Sequence, residues 1–296
     1  MQNQVNLIDV KVLDIEDSKN GDLINARQLQ QGGYSGKGVT VAIIDTGCDK
    51  THPMLKDKII GGRNFTREGK STDYTDYNGH GTHVAGIVAG EYDGIAKGCN
   101  LLILKVLTRD GSGTLQSVIK AINYAIYKKV DIINMSLGTT ANDRGLYNAV
   151  KKAVNKGILI CCASGNSGDR NALTDENDYP GAYEEVISVG AMGTGLEVSC
   201  FSNSNKYVDI VAPGENITST FIGGGLKSLT GTSMACPCVS GALALLIEWS
   251  TQEFGRRLSE SELYGLLIKN TKTIANTDRR LQGQGRLEFN LVSCKE

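Results

Sequence analysis

At 296 residues, with 40% hydrophobic and 21% charged residues, the chain has the make-up of a soluble globular protein able to bury a sizeable core. A net charge of −1 gives no electrostatic case for nucleic acid or a membrane surface as partner, and Met1–Asp9 lacks the basic and apolar regions of a signal peptide. The eight cysteines include adjacent Cys161 and Cys162, and Cys236 and Cys238 around one proline, but no CxxC pair; buried reduced thiols in a cytoplasmic protein are expected rather than disulfides or zinc.

Residues 1 to about 20 read as an extended polar arm and 21–296 as one domain, with no composition break between Gly36 and Val292. A short helix is expected near Asp22–Gln31. The β-branched run ending at Asp45 predicts a strand buried on both faces, with its carboxylate at the strand's carboxyl end. A short strand over Lys58–Phe65, a polar loop through Asn78 and a small-residue helix from Gly79-His80 follow. Leu101–Leu107, Val130–Met135, Ile158–Ala163, Val186–Met192 and Val208–Val211 read as strands, with helices over Leu115–Lys129 and Arg144–Lys156 between them. Gly223–Gly225 reads as a turn in a β region. Met234–Trp249 is the most apolar helical run, and Ser259-Glu-Ser-Glu262 opens a further helix with a capping box. No run is long and uninterrupted enough to suggest a membrane span. Strands alternating with helices predict an α/β fold: a mostly parallel sheet with helices on both faces.

Gly231-Thr-Ser233 opens the apolar helix, where unpaired backbone N–H groups and the positive end of the helix dipole favour negative charge. Alone this is an N-cap. A serine nucleophile also needs a base and an anion to orient it; His80 and Asp45 supply those residue types. The stretches Val41-Ala-Ile-Ile-Asp-Thr-Gly47, Asn78-Gly-His-Gly-Thr-His-Val-Ala-Gly86 and Gly231-Thr-Ser-Met-Ala235 resemble, in that order, the three signature blocks of subtilisin-like serine proteases. Asp45-Thr-Gly-Cys-Asp49, Ile60-Gly-Gly-Arg-Asn-Phe-Thr66 and Val211-Ala-Pro-Gly-Glu-Asn216 bring it nearest to the intracellular members. The resemblance implies a serine endopeptidase with a three-layer fold: Ser233 as nucleophile, His80 as general base then acid, Asp45 orienting His80, and Asn166 donating to the oxyanion. It also implies that extended peptide pairs with Ser136-Leu137-Gly138 on one side and Gly111-Ser112-Gly113 on the other. Peptide ligation or macrocyclisation would use the same triad, whereas a non-catalytic peptide-binding chain is hard to square with its being intact. His83 lacks the glutamate of a zinc HExxH motif and is read as structural; His52 is read as a loop residue.

Four departures from the family pattern matter. Cys238 stands where relatives usually carry histidine. Met54 stands where they place a calcium-binding aspartate, and the loop Glu91–Gly98 looks short, so no cofactor is expected to be required and the usual structural calcium site is expected to be lost or weak. Asp178 sits at the expected base of the pocket for the residue preceding the cleaved bond (P1), where a carboxylate would favour Arg or Lys. Leu7-Ile8-Asp9-Val10 stands where intracellular members carry a Leu-Ile-Pro-aromatic motif in an arm that covers the active site, so intramolecular inhibition by residues 1–20 is expected, with Asp9 in place of the proline. Homodimerisation is implied only by those same relatives.

Overall fold

The structure, a computed structural model, describes residues 4–8, 11–13 and 20–290. In chain order the elements are β1 (Gln4–Leu7), β2 (Lys11–Leu13), α1 (Asn20–Leu23), α2 (Ala26–Gln31), β3 (Thr40–Asp45), β4 (Ile59–Asn64), α3 (His80–Ala89), β5 (Asn100–Lys105), β6 (Ser112–Thr114) and α4 (Leu115–Lys128). There follow β7 (Ile132–Met135), β8 (Leu137–Gly138), α5 (Arg144–Val154), β9 (Leu159–Ala163), β10 (Ile187–Met192), β11 (Val208–Pro213), β12 (Ile217–Phe221), β13 (Gly225–Thr230), α6 (Thr232–Phe254), α7 (Glu260–Lys269), β14 (Thr271–Lys272), α8 (Arg279–Gln282) and β15 (Arg286–Leu287). The helix expected over Asp22–Gln31 is two short ones, broken where Asn25 takes a left-handed conformation.

The central sheet has the order β14-β15-β11-β10-β9-β7-β3-β5-β4 and is parallel except for the β14–β15 pair. Its strands alternate their side chains between two apolar cores. In β3, Val41 and Ile43 join the core that contains α3 and α6, whereas Ala42 and Ile44 join the one beneath α4 and α5. The same alternation sends Cys161 and Cys162 to opposite faces, so these sequence neighbours do not pair. Layers of helix, sheet and helix result, as the alternating strand and helix pattern predicts.

From β3 the chain moves to β4 and β5 on one side and returns to β7 on the other. The crevice at the carboxyl ends of β3 and β7 is thus a topological switch point, where open α/β sheets place their sites. Asp45 ends β3 and Ser136 directly follows β7.

Helix α6 is long and apolar enough to cross a membrane by length and composition, which reading the sequence for uninterrupted runs did not bring out. Its apolar window is wholly buried inside the protein, so it is a core helix, lying against β7, β9, β10 and α3. The capping box at Ser259 and Glu262 forms as expected. The β12–β13 hairpin, absent from the strands expected, closes through Gly223 and Gly224, whose φ angles of 84° and 81° suit glycine.

Candidate active site

His80 is the first residue of α3, and its Nδ1 lies 2.8 Å from Oδ1 and 3.1 Å from Oδ2 of Asp45. Both side chains are sealed from solvent, at 1% and 0% exposure. The geometry depends on a second buried carboxylate, Asp76. Its Oδ1 accepts from Asn78 N, Gly79 N and Thr46 Oγ1, each at 2.9 Å, and its Oδ2 accepts from Thr82 N (2.9 Å) and Thr82 Oγ1 (2.7 Å). Asp76 therefore satisfies the Gly79 and Thr82 N–H groups at the start of α3 and helps set the angle at which the helix presents His80. Thr46 Oγ1 also accepts from Gly81 N at 2.9 Å, tying the end of β3 to the same turn. Gly81 is required here, because a Cβ would lie 2.2 Å from the Gly47 carbonyl oxygen.

A fully buried cation faces these anions. Lys105 pairs in register with Asp45 across β3 and β5, and its Nζ donates to the carbonyls of Thr46 (2.7 Å) and Leu107 (2.8 Å). Burial lowers the Lys105 pKa, against the pull of Asp76, Glu68, Asp45 and Asp73 in the other direction. His83 is buried one turn on from His80. Burial first, then the neighbouring His80, lowers its pKa to about 3, so it is neutral, and its Nε2 reaches the carbonyls of Ile217 (2.9 Å) and Lys227 (3.0 Å). It pins the β12–β13 hairpin to α3, which fits the structural reading. His52 Nε2 similarly meets the Gly225 carbonyl at 2.9 Å.

Ser233 is the second residue of α6. Pro237 lacks the N–H that would bond the Ser233 carbonyl within the helix, and Ser136 Oγ donates to that carbonyl instead, at 2.9 Å. Asn134 Nδ2 in turn holds Ser136 Oγ at 3.1 Å, and Ser240 Oγ (2.9 Å) and Cys236 Sγ (3.3 Å) donate to Asn134 Oδ1. The Ser233 hydroxyl donates to the Ser136 carbonyl at 3.2 Å and is not turned toward His80, whose Nε2 has no partner among the described residues. Asn166 Oδ1 accepts from Thr232 N (2.9 Å) and Thr232 Oγ1 (2.8 Å), which fixes its amide with Nδ2 facing away from Thr232.

The two expected peptide-pairing edges are β6 and β8, and the arm's own β1 lies between them, antiparallel to both. Asn6 pairs with Ser112 and Gly138, Val5 with Gly113 and Leu7 with Leu137, while Leu7 N donates to the Gly111 carbonyl at 2.9 Å. Val5 and Ile8 are buried, at 1% and 7% exposure. Asp178 faces this cleft, lining with Ile8, Gly138 and Asn166 a cavity of about 350 Å³. Burial raises its pKa, and Asn203 Nδ2 donates to Oδ2 at 3.3 Å. Gly165 makes room for it, since a Cβ there would sit 2.3 Å from that oxygen. Asp9 and Val10 lie outside the described residues.

Cys236 and Cys238 are fully buried, and burial raises their pKa values, an environment of packed thiols. The residues not singled out from sequence are Asp76, Lys105, Asn134 and Asn203. Only Asp76 carried a sequence signal, an acid just before a helix start.

Residues 36–285 match the model of the subtilase family. The chain belongs to the subtilase family. As a subtilase it is a serine endopeptidase, a hydrolase of peptide bonds. It is 48% identical to the major intracellular serine protease of Bacillus subtilis over 94% of this chain and 89% of that protein. It is 52% identical to an intracellular serine protease of Paenibacillus polymyxa (87% and 81%), and 38% identical to a subtilisin of Bacillus pumilus (81% and 90%).

Asp76→Asn in this subtilase replaces a carboxylate oxygen by an N–H donor where only donors face it. The expected result is a fall in kcat of roughly tenfold or more, from the cost of losing hydrogen bonds to a buried charge, with KM little changed; steady-state kinetics on a peptide substrate checks it.

Proposed function

We propose that this subtilase cleaves extended polypeptide through an acyl-enzyme at Ser233. The observation that carries the reading is the buried Asp45–His80 pair at the end of β3, the neighbour of β7, after which Ser136 holds the start of α6 at Ser233. The Ser233 hydroxyl swings from the Ser136 carbonyl to His80 Nε2 and loses its proton there as Oγ bonds the substrate carbonyl carbon. Asp45 keeps Nδ1 protonated and stabilises the imidazolium. The oxyanion takes donors from Asn166 Nδ2 and the Ser233 backbone N–H; losing one such donor costs roughly 10²–10³ in rate in subtilisin itself. His80 then protonates the leaving amine, and water, deprotonated by His80, releases the acyl group.

The arm acts as an inhibitor, filling the groove in which substrate would lie. Labelling by a fluorophosphonate probe, absent in Ser233→Ala, tests the nucleophile. In the full chain, Val5→Asp with Leu7→Asp forces a charge into the groove and should raise both labelling and turnover of a peptide p-nitroanilide by roughly tenfold or more. Equal rates would remove the inhibitory role while leaving the nucleophile intact.

Asp178 gives the enzyme a preference for Arg or Lys at P1, since a carboxylate desolvated in the pocket gains more from a cation than from water. Its raised pKa fixes the sign of the pH dependence. The ionised form that attracts the cation is lost as pH falls toward that pKa, so the Arg-to-Leu ratio of kcat/KM should drop on acidification and flatten in Asp178→Asn. Equal cleavage of matched Arg and Leu substrates at neutral pH would sink the preference.

The usual structural calcium site at the loop after α3 is lost or weak, a reading supported by the partners that several of the loop's oxygens already have. The Asp93 carboxylate is paired with Arg27 and accepts from Asn20 N at 2.8 Å; Gln30 Nε2 donates to the Ile95 carbonyl (2.9 Å) and Lys97 Nζ to the Glu91 carbonyl (2.8 Å). The midpoint of thermal unfolding should be the same in calcium and in chelator; a large rise with calcium would contradict this. A cytoplasmic location fits the names of the relatives and the unpaired cysteines among the described residues.

A further inference from the structure

The edge of the central sheet opposite β14 carries a groove that the peptidase chemistry does not use. It lies between β4 and α4 and holds about 650 Å³. Gln116, Lys120, Tyr124 and Tyr127 line it from α4, at intervals of four, four and three residues, so they share one face of the helix. β4 and the turn after it supply Arg63 and Phe65.

The aromatic wall is held in place. Phe65 N donates to the Lys105 carbonyl (2.8 Å) and Ser117 Oγ donates to the Phe65 carbonyl (2.9 Å). The Phe65 ring therefore sits edge-on to Tyr124, with centroids 5.7 Å apart. Tyr127 follows 6.2 Å from Tyr124 and is 75% exposed, a large ring open to solvent. The Arg63 guanidinium lies over Phe65 (5.7 Å) and Tyr124 (5.3 Å), and Lys128 Nζ lies over Tyr124 (5.5 Å) and Tyr127 (5.7 Å).

The charge here is one-sided. Among the described residues no carboxylate lines the groove, and Arg63 and Lys120 have neither a hydrogen bond nor an ion pair. A chain of net charge −1 thus carries a local cationic field on this face. A guanidinium stacked on rings keeps the N–H donors at its edge free for an anion, while an exposed ring offers its face to another flat ring. Single exposed lysines or tyrosines need no explanation; here both chemistries converge on one groove.

We propose that the groove between β4 and α4 binds a nucleobase carrying phosphate, with the base stacked on Tyr127 and the phosphate on Arg63 and Lys120. A free nucleotide and single-stranded nucleic acid share that chemistry; a duplex does not, because its base faces are already stacked. The groove residues lie outside the triad and the cleft, so this site stands or falls independently of Ser233.

The test titrates the full chain with a fluorescein-labelled oligothymidylate of about eight nucleotides, the scale of a single-strand site, and competes it with AMP, adenosine and inorganic phosphate. Saturable binding should weaken roughly tenfold in Tyr127→Ala, as for loss of one stacked base. It should weaken in Arg63→Ala with Lys120→Ala as well, there with a shallower dependence on salt. Both variants should keep the parent's thermal midpoint. Displacement of the strand by AMP assigns the site to free nucleotide, and binding of the strand alone assigns it to single-stranded nucleic acid; either supports the proposal. Inorganic phosphate competing as well as AMP reduces the groove to an anion contact and overturns it. So does binding that Tyr127→Ala leaves unchanged, or no saturable binding of strand or AMP up to about 1 mM, beyond the range of ordinary non-specific contact.

Discussion

Two carboxylates, Asp45 and Asp76, are buried around the start of one helix, and much of the surrounding structure serves to make that tolerable. A buried anion is costly unless it is hydrogen-bonded or faces a cation. Asp76 has five donors from three residues of the turn and helix start and from Thr46, Asp45 has His80 and the Thr46 N–H, and Lys105 lies in register across the sheet. The donors are mostly backbone groups that a helix start must satisfy in any case. The same bonds that stabilise the anions thus aim His80, so local folding and the orientation of this side chain are not separate problems.

On the opposite wall the logic is complementary. A proline inside α6 would ordinarily weaken a helix. Here it frees the carbonyl of Ser233, and the strand residue Ser136 takes the vacated position, locking the start of α6 to the end of β7. Asn134, Ser240 and Cys236 complete a polar seam inside an otherwise apolar layer. A buried polar network of this kind is stabilising when its members are satisfied and fixes one arrangement among many of similar hydrophobic content.

Much of this was legible in the chain. β-branched runs such as Thr40–Asp45 announce buried parallel strands, and Ser259 with Glu262 announces a helix start, because both signals are local. Asp45, His80, Ser233 and Asn166 could be named because each sits in a short, distinctive block. What stayed hidden depends on partners far along the chain. Lys105 looks like a charge closing a strand until the register sets it beside Asp45. The β12–β13 hairpin has mixed side chains, and among its anchors are His83 and His52, over a hundred residues earlier. The helix near Asp22 was expected as one because nothing in the composition marks Asn25 as a break.

The arm's attachment has a consequence for how firmly it stays in place. Strands of four and three residues hold weakly as free peptides. Joined to each other and to the catalytic domain, they act at an effective concentration on the order of millimolar, which a soluble substrate seldom matches. A free peptide would therefore displace the arm poorly, whereas a cut between β1 and β2 would uncouple its two pairings. It turns a tethered pair of contacts into a diffusible fragment and a one-sided tail, and dilution then makes the change irreversible.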